Sequence, residues 1–127
     1  MPIHVDVSRL DRLMMVVIIG EATADDIRNL ARQFTDAGIM SYRKIVDITA
    51  GALVVDDAEL AAIAESQRTD PNMATRGPLA FVVDPARATV AEKWAELTTG
   101  ERPVKVFTSL HAARRWLNEF AAVQPLR

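Results

Sequence analysis

The chain has 127 residues, half of them apolar and a quarter charged, with fifteen basic side chains against seventeen acidic ones. That is one domain's length, and the net charge of −2 gives no general attraction to nucleic acid or an anionic membrane. The absence of cysteine excludes thiolate catalysis, Cys-ligated zinc and disulfides together.

No repeat, low-complexity tract or Pro/Gly-rich linker divides the chain, so a single domain over residues 1–127 is expected. Residues 3–7, "IHVDV", alternate apolar and polar, as an edge strand with one wet face does. After the turn "SRLDR", residues 12–19 are apolar almost throughout, and the short connection predicts an antiparallel hairpin. That run, Leu13 to Ile19, is too short to span a bilayer. No cationic and apolar leader precedes it, and the expectation is a cytoplasmic protein without membrane insertion.

Gly20 is read as the end of the second strand. In "TADDIRNLARQFTDAG" Thr23 is an N-cap, with Asp26 at capping-box spacing. Ile27, Leu30, Ala31 and Phe34 form one helical stripe, and Gly38 ends it. "KIVDI", residues 44–48, is a short buried strand, followed by a loop around Gly51 and a helix from about Asp56 to Gln67. A polar loop leads to the apolar strand "LAFVVD", residues 79–84. Asp84-Pro85 starts a third helix, with Val90, Ala91, Trp94 and Leu97 inward. "VKVFT" alternates as an opposite edge, and Ser109 caps a last helix with Leu110, Ala113, Leu117 and Phe120 inward.

The order β-β-α-β-α-β-α-β-α predicts an α/β fold with a mixed five-stranded sheet in sequence order. The first strand is antiparallel, and there are about four helices. Strict right-handed crossovers in that order place every helix on one face. The unbroken apolar runs of the middle strands demand cover on the other face as well: loop segments, a helix packed across, or a second subunit.

Four segments carry a resemblance: "VVIIGEATADDI", "YRKIVDITAG", "LAFVVDPARATVAEKW" and "VKVFTSLHAARRWL". Over nearly the whole chain the pattern resembles the SpoIIAA-like family, related to STAS domains (sulfate transporter and anti-sigma factor antagonist). The resemblance implies a β-α superhelix without an enzyme active site. It further implies action through protein contacts, or a small or lipidic ligand held in a pocket between sheet and helices.

Anti-sigma antagonists of that group carry a "DLS" strand end and a "DSSG" helix start, with the phosphoacceptor among those serines. Here "DIT", Asp47 to Thr49, matches the first part, but the second reads "VVDDAEL". Asp56 stands for the motif's Asp, whereas Asp57 and Ala58 replace the serines. A phosphate at a helix N-terminus is favoured by free N–H groups, but here Asp56, Asp57 and Glu59 already face them. Three readings of the aspartates stay open: helix caps, a permanent imitation of the modified serine, and an aspartyl-phosphate acceptor.

The strand C-terminal ends gather Glu21, Thr23, Thr49, Asp56, Asp57, Asp84, Thr108 and Ser109 at one rim, where open α/β sheets place ligands. A Mg²⁺ site of the receiver type needs adjacent acids after its first strand and a lysine ending its last. Gly20-Glu21 and the early Lys105 do not supply them. His4 and His111 are read as solvated, and no triad or zinc site can be assembled from them. The basic pairs Arg43-Lys44 and Arg114-Arg115 are also read as solvated charges. Met14, Met15, Met40 and Met73, with Trp94 and Trp116, are either core or a pocket lining. Trp116 lies off the inward stripe and is expected half exposed at an interface.

The resulting expectation is a non-enzymatic regulatory or interaction module without a cofactor or bound metal, partnered by another protein or by itself as a homodimer. The expected binding residues are Thr49, Asp56, Asp57 and Trp116. The rival expectation is a binding protein for an apolar or lipid-like ligand in a pocket between sheet and helices.

Overall fold

The computed structural model describes residues 3–71 and 76–121. Its elements in chain order are β1 (Ile3–Ser8), β2 (Leu13–Ile18), β3 (Gly20–Thr23), α1 (Ala24–Ala37), β4 (Arg43–Asp47), β5 (Gly51–Val54), α2 (Asp57–Thr69), β6 (Leu79–Val82), α3 (Thr89–Leu97), β7 (Val104–Phe107) and α4 (Leu110–Ala121). A 3-10 turn, Pro85–Arg87, precedes α3.

The five strands read from the sequence form one sheet in the order β1-β2-β4-β6-β7. Only the β1–β2 pair is antiparallel. Two further strands lie where loops are expected: β3 and β5 pair in parallel as a separate two-stranded sheet, with Gly20 opposite Gly51. The glycines start these strands instead of breaking them. Gly20 turns the chain at a φ of 80°, and a Cβ on Gly51 would collide with the Ile18 carbonyl, so only glycine permits that close approach.

Both faces of the main sheet are covered, and the covering is unequal. Met14, Val16, Leu79 and Phe81 pack toward α1, α2 and α3 in the larger core. Ile45, Ala80 and Val82 pack on the opposite face against Ala113 and Leu117 of α4. α4 follows the last strand, so no crossover constrains it, and it folds back under the sheet. It contacts β4, β6 and β7. Strand β6 is buried at all four residues, whereas in β2 Leu13, Met15 and Val17 stay half-buried on the α4 side. The second strand is therefore fully covered on one face only, because a twelve-residue helix does not extend over the whole sheet.

Helix boundaries follow their caps. Thr23 and Asp26 complete the expected capping box on α1, and Gly38 closes that helix in the left-handed conformation at φ 71°. The third helix departs from expectation. Asp84 caps only the 3-10 turn, accepting from the Ala86 amide at 3.0 Å, and α3 starts separately after Ala88.

Candidate functional site

The rim at the strand C-terminal ends brings Thr49, Asp56 and Asp57 to one exposed stretch around β5 and the start of α2. Each has a local role. The Thr49 amide and hydroxyl both donate to Asp47 Oδ1, at 2.9 and 2.7 Å. Asp56 is the N-cap of α2: its carboxylate accepts from the Glu59 amide at 2.7 Å, and Glu59 accepts in return from the Asp56 amide at 3.1 Å. Asp57, expected as a capping candidate, is the first helical residue instead. Its side chain is 86% exposed, with Lys93 Nζ 3.9 Å away. Among the described residues no three of the His, Asp and Glu side chains are grouped to hold a metal ion.

Trp116 is not part of this rim. It is half-buried on α4, across the sheet from α2, in an aromatic row with Phe107 at 5.7 Å and Phe120 at 5.0 Å between ring centroids. His4 and His111 are exposed. Met73 lies outside the described residues.

The pair Arg43-Lys44 overturns its sequence reading: neither side chain is solvated, with only 5% and 3% of each residue exposed. Adjacent residues of a strand point to opposite faces, so the two charges enter different cores. Arg43 turns toward α4 and donates to the carbonyls of Leu117 at 3.2 Å and Asp11 at 2.6 Å. Lys44 turns toward α1–α3, and its Nζ donates to the carbonyls of Met40 at 2.5 Å and Tyr42 at 3.0 Å. Backbone oxygens replace the water that both expected.

Lys44 belongs to a basic cluster at the strand N-terminal ends. Arg76 pairs with Glu101 at 2.9 Å, and Glu101 also accepts from Arg68 at 3.0 Å. Arg102 donates to the Gly77 carbonyl at 3.1 Å, while its buried Nε has no hydrogen-bond partner among the described residues. Burial first, then repulsion from Arg102 and Arg76, lowers the Lys44 pKa to about 7. Burial and Arg76 bring Arg102 down to about 10. Glu101 is desolvated, which works against its charge, but hydrogen bonds from Arg76 and Arg68 prevail and hold its pKa below the ordinary value.

Above this cluster a cleft of about 110 Å³ opens between the sheet and α1, α2 and α3. Ile27, Leu30, Leu60, Phe81 and Trp94 are among its walls, and Lys44 and Arg102 are its cationic lining. Ile27, Leu30 and Ala31 of the α1 stripe are only half-buried because they line this space.

The sequence held a signal for the cluster. Three consecutive parallel strands are each entered by basic residues, "RK-IVD", "RGP-LAFV" and "RP-VKVF". Parallel strands begin at the same end of a sheet, so these entries converge.

Comparison with solved structures decides the fold. An uncharacterized protein of the DUF3478 family from Shewanella loihica PV-4, described as having a SpoIIAA-like fold, superposes with a TM-score of 0.58 at 15% identity. The match covers 91% of each chain. This chain has a SpoIIAA-like fold. No protein-family profile matches the sequence, and no curated protein matches it either. The SpoIIAA-like architecture gives the rim and the cleft their places: the rim at the strand ends that lead into the helices, the cleft beneath those helices. No helix among the described residues is long and apolar enough to cross a membrane.

Proposed function

We propose that this protein is a non-enzymatic interaction module, of the kind to which anti-sigma antagonists belong, that has lost the serine switch and pairs with a second copy along β1. The observation that carries this reading is the state of that edge strand. Among the described residues β1 has only β2 beside it, and its Val5 and Val7, on one face, are 37% and 40% exposed. A strand margin with unpaired backbone groups and apolar side chains is a template for another strand.

The sequence of β1 suits its own copy. In an antiparallel two-fold pairing centred on Val5, His4 of one copy lies opposite Asp6 of the other, and Ile3 lies opposite Val7. Opposite charges and β-branched pairs directly across from each other both favour such a ladder. The rim of Thr49, Asp56 and Asp57 remains open in this arrangement as the face for a protein partner. It acts there as fixed surface, since Asp56 caps the α2 start and Asp57 stands beside it, where the motif would carry its phosphoacceptor serine.

Native mass spectrometry tests the pairing. The wild type is expected as a dimer, and Val5→Lys, an exposed substitution that leaves the core intact, is expected as a monomer. A wild type that stays monomeric, or a dimer that persists in the variant, sinks the reading.

A second reading is favoured by the cleft: an apolar space under three helices, with the buried Lys44 and the part-buried Arg102 in its lining, suits a small ligand better than it suits plain packing. Cores normally close such space, because unfilled volume forfeits contacts.

A further inference from the structure

We infer that the cleft selects a small anionic amphiphile, a carboxylate on a short apolar tail, with the head received by Lys44 and Arg102 and the tail by the walls of α1, α2 and β6. The inference rests on the cleft reading and adds the chemistry of the ligand's head.

Three observations point to a carboxylate. Lys44 and Arg102 both line the cleft, and the charges that act on Lys44 are those of Arg102 and Arg76, all of one sign. Glu101 offsets the charge of Arg76 at 2.9 Å, and the repulsion left between the buried Lys44 and Arg102 is what one added anion relieves. The donors also have capacity left. Lys44 Nζ gives two of its three protons to Met40 and Tyr42, and the buried Arg102 Nε–H gives to no acceptor among the described residues. A carboxylate brings two oxygens and accepts from both residues at once.

The walls fix the rest of the ligand. Ile18, Leu30, Phe34, Leu60 and Phe81 make the walls chiefly apolar, and the polar Gln67 among them already accepts from Arg76 at 2.9 Å. At about 110 Å³ the cleft is smaller than the roughly 150 Å³ engineered cavity that holds benzene. A tail of about four or five carbons fits, and a full fatty chain does not. The acids of the opposite rim do not compete for this head, because Lys44 is the second residue of β4 whereas the rim lies at the other end of the strands.

The test compares hexanoate, 1-hexanol, hexylamine and acetate at mildly acidic pH, by backbone amide shifts and titration calorimetry on the full chain. Hexanoate is expected to bind at least about tenfold tighter than hexanol, the margin of a charge-assisted hydrogen bond. Acetate and hexylamine are expected not to bind. In Lys44→Met the preference for hexanoate over hexanol should vanish while hexanol binding persists. Arg102→Met serves the same purpose if the first variant does not fold.

Equal binding of hexanoate and hexanol overturns the head-group inference and leaves the cleft reading standing. Failure of both ligands removes the two together. Acetate binding as tightly as hexanoate overturns the amphiphile, since the tail then contributes nothing.

Discussion

The two ends of the main sheet handle charge in opposite ways. At the strand C-terminal ends the carboxylates of Asp47, Asp56 and Asp84 accept local hydrogen bonds from nearby backbone amides. The charges stay close to water, and their removal disturbs a turn or one helix end. At the N-terminal ends Arg43 and Lys44 are buried and donate to carbonyls, and the Arg43 contacts reach as far along the chain as Leu117. Residues of one composition class therefore differ in energetic weight by where the fold delivers them. An exposed acid organises its neighbours, whereas a buried base ties distant segments together.

The comparison predicts its largest effect at Arg43. Arg43→Ala leaves the Leu117 and Asp11 carbonyls without their donors and opens space between β4 and α4. The expected loss is about 2–4 kcal/mol in urea unfolding. Arg115→Ala, on the solvent side of the same helix, is expected to change nothing measurable. If the two variants unfold alike, the buried base is not a tie and the contrast between the ends collapses.

Lys44 sharpens the comparison through pH. Its pKa is about 7 in the fold against an ordinary 10.5, so between those values the folded chain holds one proton fewer than the unfolded chain. Stability then rises with pH, by up to about 1.4 kcal/mol per unit, from about pH 7 toward pH 10.5. Arg102, which acts on it, stays charged over most of this window, and Glu101 is already ionised. Lys44→Met should flatten the slope. A wild type with flat stability across the window would mean that Lys44 keeps its proton and finds an anion or water there.

How much of this was legible in the sequence depends on the range of the interaction. Local signals were clear: the Thr23 and Asp26 box, Gly38 as the stop of α1, the three apolar runs that became the middle strands and the two alternating segments that became the edges. The two extra strands escaped because four-residue segments opening on Gly20 and Gly51 look like loops. Their pairing is set by approach to the Ile18 backbone, which no local pattern encodes. Arg43 and Lys44 escaped for a related reason. A basic pair reads as solvated unless the carbonyls of Asp11, Met40 and Leu117 are known to converge on it. The repeated basic strand entries were the available clue, and they become informative only once the strands are known to be parallel. At the rim the sequence brought Thr49, Asp56 and Asp57 to one place. Trp116, expected half exposed off the inward stripe, is half-buried in a row with Phe107 and Phe120, on the face of the sheet away from the rim.

The smallest effects separate the two rim aspartates. Asp56→Ala removes the N-cap of α2 and should lower stability by about 0.5–2 kcal/mol. Asp57→Ala should remain within the roughly 0.5 kcal/mol of an ordinary surface change. Its ion pair with Lys93, at 3.9 Å, is between exposed side chains, where such a pair contributes little. Paired thermal melts of the two variants measure the difference directly. Equal losses would give Asp57 a share in fixing the helix start, and the rim would then carry more structural weight than its exposed side chains suggest. An Asp57 variant that melts like wild type but loses a protein partner would assign this residue to recognition, because a cap cannot lose binding without also loosening α2.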